Sequence, residues 1–321
     1  MLKEKPAYLL NDKFDDIYFD VVDAIDEAQQ IYLINNNLIE RVGKGLEIGA
    51  PFIIGETGFG AGRLVVSLMQ YLDKSSLKNV YIEYNSVELY PMSPERMHNI
   101  LNGFRERVGD KIDALVKAYQ TIDINVSGWH TAEITQSFGT LKLNLWVGEA
   151  LEMASSLEKS CDVWFLDGHS PKKNPEMWRP ELLLEIGKKT KVGGTCATFT
   201  VAGAVKRALT DAGFIIKKFP GCGGKNEVLQ GVKMIESRCG LSCEECSYRE
   251  LYKCGGCIQT QGNPFHGECP VAKCCQAREI VHCGKCPNIP CKLLTKYSHD
   301  SEHGDNPKGA RIEQCKKWAE T

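Results

Sequence analysis

Cysteine is distributed very unevenly along this chain of 321 residues. Of its 15 cysteines, only Cys161, Cys196 and Cys222 precede residue 239. The N-terminal sequence lacks the apolar core of a signal peptide, so we expect a cytoplasmic protein, in which disulfide frameworks are rare. Clustered thiols in such a compartment indicate metal binding. The sequence therefore predicts two domains, a cysteine-poor body over residues 1–235 and a cysteine-rich, metal-stabilised tail over residues 236–321.

The tail contains repeated pairs of cysteines separated by two residues. Such pairs place adjacent thiolates on one tetrahedral ion, and four thiolates hold a structural zinc ion. The same ligands suit an iron–sulfur cluster, so Zn²⁺ and iron–sulfur both stay open at this point. The first three cysteines of the tail also have the cluster-binding spacing of radical enzymes, but too little chain follows them for the barrel that those enzymes need. The predicted metal ligands are Cys239, Cys243, Cys246, Cys254, Cys257, Cys283, Cys286 and Cys291.

The body alternates segments with strand and helix patterns, which predicts an α/β fold around a sheet. The apolar side chains of residues 61–72 recur at helical spacing and would lie on one face of a helix. No stretch approaches the length of an apolar membrane span, so we expect no membrane association. The net charge of −2 argues against a protein that coats nucleic acid through bulk charge. Predicted strands cover residues 51–56, 79–90, 141–148, 161–168 and 193–200.

A glycine-rich segment, ETGFGAG from Glu56 to Gly62, joins the first predicted strand to its helix. A phosphate-binding P-loop would end in Gly-Lys-Ser/Thr, and a dinucleotide-binding loop would have glycine where Arg63 stands, so neither pattern fits. The remaining acid-x-GxGxG pattern is typical of enzymes that bind S-adenosylmethionine (SAM). A Cβ atom at Gly58, Gly60 or Gly62 would clash with a ligand lying against such a turn. The alternative is a tight strand-to-helix turn without a ligand.

Acidic residues close two later strands. Glu88 ends the second strand, where a carboxylate can accept hydrogen bonds from both hydroxyls of a ribose. Gly148 and Glu149 end the third strand, where backbone and side chain can meet adenine. Open α/β sheets bind ligands at the carboxyl ends of their strands, so the three features together favour a nucleotide-type cofactor. Each acid alone would equally suit a solvated strand end.

The fourth predicted strand leads into the polar segment DGHSPKKNPEMW, from Asp167 to Trp178. This segment is too long and polar for a plain connector, and we expect it beside the predicted cofactor. Asp167 is a candidate to orient or deprotonate an acceptor, and His169 is a second candidate catalytic residue. The alternative role for Asp167 is to cap the loop.

Several segments together resemble the methyltransferase domain of the MnmC family of tRNA 5-methylaminomethyl-2-thiouridine biosynthesis proteins. They are FDDIYF, GETGFGAG, SVELYP, WFLDGHSPKKNPEMW and ATFTVAGAVKRAL, and the similarity runs from about residue 8 to residue 233. The resemblance implies a Rossmann-like, SAM-dependent methyltransferase that methylates the aminomethyl group on carbon 5 of the tRNA wobble uridine. The tail resembles small cysteine-rich domains of uncharacterised function, which implies zinc binding and no particular activity.

The resemblance to MnmC also implies roles for individual residues. Asp167 would face the acceptor amine, and Trp178 would wall the pocket on the substrate side. The family's usual second domain is a flavin oxidoreductase that unmasks the primary amine. This chain has no dinucleotide-binding fingerprint, so we expect it only to methylate, with a separate oxidoreductase or another enzyme supplying the aminomethyl intermediate. The residues expected to hold SAM are Glu56, Gly58, Gly60, Gly62, Glu88, Gly148, Glu149 and Tyr18.

Two departures from the family pattern concern the acceptor. Family members have an aromatic residue where this chain has His169, which is smaller and titratable. Asn226 replaces an arginine of the family's GFGxKR segment, which removes one phosphate contact. Lys172, Lys173 and Lys225 are candidate tRNA contacts, although solvated surface charge explains them equally. The alternative functions are a SAM methyltransferase for another amine, and an inactive, metal-linked adaptor that binds RNA or protein.

Overall fold

The structure is a computed structural model that describes residues 10–11, 16–17, 24–47, 49–222, 226–233, 237–243 and 246–319. The chain divides into two compact units, Met1–Lys233 and Met234–Thr321. The predicted division after residue 235 falls close to this boundary. Within the described ranges, every helix is too short or too polar to span a lipid bilayer.

The strands of the first unit belong to a short two-stranded pair and one large sheet. The pair consists of β1 (Leu10–Asn11) and β2 (Asp16–Ile17). The strands of the large sheet are β3 (Phe52–Glu56), β4 (Val80–Glu88), β5 (Gly128–Gln136), β6 (Gly139–Val147), β7 (Cys161–Leu166), β8 (Thr190–Thr198), β9 (Phe214–Pro220) and β10 (Glu227–Lys233).

The large sheet has the strand order β5-β6-β4-β3-β7-β8-β10-β9. Its five central strands, from β6 to β8, are parallel neighbours. At one edge β5 pairs antiparallel with β6, and at the other β10 pairs antiparallel with both β8 and β9. This arrangement confirms the predicted α/β class with a Rossmann-like sheet. The parallel pairing brings the carboxyl ends of β3, β4, β6 and β7 to one edge, where the glycine-rich segment and the strand-end acids lie.

Helices follow most of the strands, as the alternating pattern predicts. Gln29–Ile34 forms a π-helix, and Asn102–Phe104 and Pro175–Trp178 form single 3₁₀ turns. The α-helices of the first unit are α1 (Ala24–Ala28), α2 (Leu38–Glu47), α3 (Arg63–Asp73), α4 (Pro94–Leu101), α5 (Arg105–Val108), α6 (Lys111–Tyr119), α7 (Ala150–Ser156), α8 (Pro180–Lys188) and α9 (Gly203–Asp211).

The two faces of the sheet carry separate apolar cores. Ile54 and Phe165 face the core shared with α1, α3, α4 and α6, while Ile53 and Trp164, their neighbours along the strands, face α7, α8 and α9. Burying each such side chain stabilises the fold by about 1.5–3 kcal/mol. Gly55 is required by this packing, because a Cβ atom there would lie 2.5 Å from the Trp164 ring.

The described part of the second unit contains short helices and no strand. Val271, Leu294 and Trp318 are buried together with several thiols, so the core of this unit is small and rich in sulfur. Cys283–Lys285 forms a 3₁₀ turn. The α-helices are α10 (Ser247–Leu251), α11 (Gly256–Gln259), α12 (Pro270–Ala277), α13 (Lys292–Ser298) and α14 (Ala310–Ala319).

Candidate functional site

A cavity of about 260 Å³ opens at the carboxyl edge of the sheet in the first unit. Its walls come from the glycine-rich segment after β3, the ends of β4 and β6, and the loop after β7. The position is the one at which open α/β sheets bind ligands. The predicted site residues that line this cavity are Glu56, Gly58, Gly60, Glu88, Gly148, Glu149, Asp167 and His169.

Each glycine of the first loop is required for a different structural reason. A Cβ atom at Gly58 would lie 3.1 Å from the Asp167 carbonyl oxygen, so this glycine lets two cavity-forming loops approach each other. Gly60 has a φ of 53°, in the left-handed region that glycine favours. Gly62 does not line the cavity. Its φ is 75°, and a Cβ atom there would lie 2.6 Å from the Leu115 side chain, so a turn and core packing require it.

Glu88 ends β4 beside this loop. Its two carboxylate oxygens accept hydrogen bonds from the backbone N–H groups of Gly60 and Tyr90, each at 2.9 Å. Burial raises the pKa of Glu88, while those N–H donors and the nearby His169 oppose the rise. Each carboxylate oxygen keeps a second lone pair, so Glu88 can accept further hydrogen bonds from hydroxyl groups in the cavity.

Glu56 lies deeper, at the end of β3. Its side chain is only 1% exposed and accepts a hydrogen bond of 2.6 Å from the Ser86 hydroxyl. Burial raises the pKa of Glu56 to about 8, and the negative charge of Asp167 adds to the rise while Ser86 opposes it. Glu56 is therefore mostly protonated at neutral pH, and it contributes a neutral floor to the cavity.

Asp167 follows β7 and pairs with Arg63, a residue that the sequence analysis did not assign to the site. The Arg63 Nη2 atom lies 2.8 Å from Asp167 Oδ2, and the Gly168 N–H donates to Asp167 Oδ1 at 3.0 Å. Burial by itself would lower the pKa of Arg63, but the charges of Asp167 and Glu27 raise it above its ordinary value. The pair thus places a fixed carboxylate on the cavity wall.

Tyr32 packs behind this ion pair and was also missed. It belongs to the π-helix Gln29–Ile34. A π-helix is a rare conformation, and where it occurs it is often at a functional site. Burial and the neighbouring charge of Asp167 raise the pKa of Tyr32, so its hydroxyl stays protonated. The Tyr32 ring packs against Phe165, at 5.6 Å between ring centroids, in the core behind the cavity.

Only some of the predicted residues in the polar loop after β7 line the cavity. The Trp178 indole is buried, packs edge-on against Phe199 and donates a hydrogen bond of 2.8 Å to the His169 carbonyl. It therefore supports the loop from below and does not line the cavity. Lys172 and Lys173 are exposed and lie outside the lining as well. Asn174 and Met177, which the sequence analysis did not single out, do line it.

The remaining predicted residues are Glu149, Tyr18 and Lys225. Glu149 is half-exposed, and its carboxylate lies 3.8 Å from Arg179. Tyr18 and Lys225 lie outside the described residues.

Some thiols of the second unit are grouped around one small cavity. Cys283, Cys286 and Cys291 line one apolar cavity of about 20 Å³ together with Cys274 and Cys275. The Sγ atoms of Cys275 and Cys283 are 3.6 Å apart. Among residues 237–243 and 246–319, however, no three Cys, His, Asp or Glu side chains converge closely enough to hold a metal ion.

Backbone N–H groups donate hydrogen bonds to several predicted ligands in this unit. The Sγ atoms of Cys254, Cys257 and Cys291 accept from the N–H groups of residues 256, 238 and 294 at 3.3–3.4 Å. Such bonds stabilise thiolates, but the predicted set of eight ligands is not gathered into metal sites in the described arrangement.

The chain matches two known families, and the boundary between the two matches lies close to the boundary between the two compact units. Residues 110–234 match the family described as S-adenosyl-L-methionine-dependent methyltransferase. Residues 235–296 match a family described as a protein of unknown function, DUF3795.

Comparison with individual proteins is more specific. The chain is 36% identical over 221 residues to the tRNA 5-methylaminomethyl-2-thiouridine biosynthesis bifunctional protein MnmC of Pseudomonas syringae pv. syringae, and 37% identical over 218 residues to that of Pseudomonas fluorescens. Each match covers 68% of this chain and 32% of the relative, so the chain spans about a third of their length.

A solved structure supports the fold of the first unit. The crystal structure of MnmC2 from Aquifex aeolicus superposes with a TM-score of 0.51 at 19% identity, over 68% of this chain and 64% of that one. This likeness shows a shared fold. The chain therefore carries an S-adenosyl-L-methionine-dependent methyltransferase domain of the MnmC family, followed by a domain that matches a family of unknown function.

Proposed function

We propose that this protein transfers a methyl group from SAM to the 5-aminomethyl group of the tRNA wobble uridine, giving 5-methylaminomethyl- or 5-methylaminomethyl-2-thiouridine. The observation that carries the proposal is the cavity at the sheet edge, where a glycine loop, a strand-end acid and an Arg63-held Asp167 carboxylate meet. The identity to MnmC across the same unit supports the choice of acceptor.

The residues of the cavity fit SAM as a ligand. Gly58 and Gly60 leave the backbone of the loop accessible, and Glu88 has lone pairs for the ribose hydroxyls. Gly148 and Glu149 would meet the adenine ring at the end of β6. When bound, SAM would supply an electrophilic methyl group, whose bond to sulfur breaks on transfer and leaves S-adenosylhomocysteine. Because Glu56 is mostly neutral, the cavity floor does not add a second negative charge beside Asp167.

The acceptor amine must lose a proton before it can attack. An alkylamine has a pKa of roughly 10, so it arrives mostly as an ammonium ion. Asp167 would accept a hydrogen bond from that ammonium group and hold its nitrogen toward the methyl group, and water at the cavity mouth would take the proton. Arg63 and the Gly168 N–H fix the carboxylate in place. Positioning of two bound reactants supplies on the order of 7–11 kcal/mol of the barrier.

His169 supports a second candidate, a SAM methyltransferase for a different amine. It lines the cavity at the position where the family has an aromatic residue, and its side chain is smaller than a phenyl ring. A base would stack less extensively on an imidazole, so a smaller amine would suit this wall equally.

The proposal has three further parts. A separate enzyme, such as an oxidoreductase, supplies the aminomethyl intermediate. The protein works in the cytoplasm, where its tRNA substrate lies. Zinc or an iron–sulfur cluster in the tail stays a prediction from cysteine spacing, because the described thiols do not converge on one point. Elemental analysis with an absorption spectrum tests it, and a tail without zinc or iron contradicts it.

The proposed reaction is tested by mass spectrometry of nucleosides from tRNA that carries the aminomethyl group, after incubation with protein and SAM. We expect one added methyl group on the wobble uridine. Asp167→Asn should abolish the gain while SAM still binds, and the exposed Lys172→Ala should behave as wild type or raise only the KM. An unchanged wobble nucleoside with tightly bound SAM would contradict this acceptor, and absence of SAM binding would favour the adaptor function.

A further inference from the structure

Three aromatic rings of the second unit lie together at its surface. Tyr248, Tyr252 and Phe265 are 41%, 54% and 43% exposed, and their ring centroids are 4.8–5.7 Å apart. We call these three residues the exposed aromatic cluster. The neighbouring Leu251 is 69% exposed, so the cluster continues into an apolar surface patch. A contiguous exposed patch of this kind marks an interaction surface, because water solvates it poorly.

Rigid backbone presents the rings of the cluster. Tyr248 and Tyr252 are four residues apart, and the Tyr252 N–H donates to the Tyr248 carbonyl at 3.1 Å, so both rings leave one face of α10. Phe265 lies inside a tight turn in which the Gly267 N–H donates to the Pro264 carbonyl at 2.9 Å. A further bond, from the Cys269 N–H to the Gly262 carbonyl at 2.8 Å, closes the loop. The rings are therefore pre-organised and lose little entropy on binding a partner.

The geometry of the cluster suits a flat aromatic ligand. The rings of Tyr252 and Phe265 are stacked, with an angle of 5° between their planes and 4.8 Å between centroids. A parallel pair with exposed outer area is the platform on which unpaired nucleobases stack. His266 stands edge-on to Phe265 at 5.3 Å and extends the aromatic surface.

Two cations and one acid lie in the segment that carries the tyrosines. Arg249 and Lys253 each follow one of the two tyrosines in the sequence, and both side chains are exposed. Glu250 lies between them in the sequence. The acid that follows the Phe265 loop, Glu268, has its carboxylate 3.9 Å from Lys273 Nζ, so its charge is partly offset. Two cations next to a ring stack bind single strands with a modest dependence on salt, because few phosphates are neutralised.

We propose that the exposed aromatic cluster of Tyr248, Tyr252 and Phe265 binds unpaired bases of RNA. This inference rests on the proposed function, since the unpaired loop of the tRNA substrate is the RNA that the chain would meet. The second unit would then be the part that recognises single-stranded RNA, while the cavity of the first unit performs the chemistry.

The test measures RNA binding separately from methyl transfer, with the full chain. The probe is a fluorescein-labelled RNA hairpin with an unpaired loop, and a blunt duplex of the same stem is the comparison, both followed by fluorescence anisotropy. We expect the hairpin to bind more tightly than the duplex. Tyr252→Ala and Phe265→Ala should each weaken hairpin binding about tenfold, because the loss of one stacking ring removes one base contact. Tyr252→Phe should retain the affinity, because the ring remains.

A matched control uses the exposed apolar residue Val281 in the same unit. Val281→Ala should bind the hairpin as wild type, and circular dichroism with a thermal melt should show that the Tyr252 and Phe265 variants are folded. Hairpin affinity that is unchanged in both alanine variants would overturn the proposal. If the hairpin binds through the rings but tRNA is not methylated, the proposed function fails and the RNA site stands.

Discussion

The buried Glu56 makes the stability of the first unit depend on pH in a way that one substitution removes. Folding raises the pKa of this carboxyl from 4.5 to about 8, mainly through burial. Between these two pH values the folded chain binds more protons at Glu56 than the unfolded chain does. The contribution of Glu56 to the free energy of unfolding is therefore most favourable below pH 4.5, and it falls as the pH rises toward 8. Raising the pH from about 6 to about 8.5 should therefore cost on the order of 2–3 kcal/mol at this residue.

Glu56→Gln removes this titration and keeps the shape of the side chain and an oxygen to accept the Ser86 hydrogen bond. Urea unfolding followed by tryptophan fluorescence, at several pH values and without SAM, gives the difference in unfolding free energy between wild type and variant. We expect that difference to shift by on the order of 2–3 kcal/mol in favour of the variant from about pH 6 to about pH 8.5. The exposed Glu40→Gln is the control and should show no such shift. Parallel pH dependences for wild type and Glu56→Gln would refute the reasoning.

Three further predictions concern the same cavity. Gly58→Val should abolish SAM binding measured by calorimetry, because its side chain would meet the Asp167 carbonyl, from which a Cβ atom would be only 3.1 Å away; wild-type affinity would contradict the tight approach of the two loops. Arg63→Met should destabilise the first unit by about 3–5 kcal/mol in urea unfolding, since it leaves Asp167 without its cation. Asp167→Asn in that background should recover part of the loss, and strictly additive effects would argue against the pair. His169→Phe should lower the KM for tRNA by less than about tenfold with little change in kcat, by improved stacking; a large fall in kcat would instead give His169 a direct part in the reaction.

The sequence predicts the centre of the sheet because its strands are largely buried and rich in apolar residues. β3 is buried throughout and β7 almost throughout, while β4 is buried except at Tyr81, Glu83 and Glu88, and the bounds of all three differ from the predicted ones only at the ends. The sequence does not predict β5. This strand, Gly128–Gln136, lies at the edge of the sheet, and many of its residues are exposed and polar, so it lacks an apolar run. The sequence also predicts the acids Glu56, Glu88 and Asp167, because each is a polar residue at the end of a strand that is rich in apolar residues.

The remaining site residues depend on tertiary contacts that the local pattern does not encode. Arg63 lies at the first position of α3, where a cation is disfavoured by the positive end of the helix dipole, and this conflict was the available signal that a carboxylate must be near. Tyr32 comes from a helix that is distant in sequence. Trp178 follows the aromatic pattern expected of a pocket wall, but an indole of that size is equally stable as the buried support of a loop.

The cysteine spacing in the tail predicts clustering but not pairing. Cys283, Cys286 and Cys291 do share one cavity, yet Cys274 and Cys275, which were not among the predicted ligands, line it too. Which thiols meet is decided by the packing of α12 and α13, and motif spacing contains no information about that packing.

Methyl transfer to the wobble aminomethyl nitrogen is the reaction that we propose for this protein. The experiment uses SAM that carries a deuterated methyl group, and two tRNA samples that differ only in the presence of the 5-aminomethyl group. We expect the intact deuterated methyl group on the nitrogen of the wobble nucleoside of the first sample and nowhere in the second. Label on another nucleoside, or no label in either sample under conditions where SAM binds, would contradict this proposal.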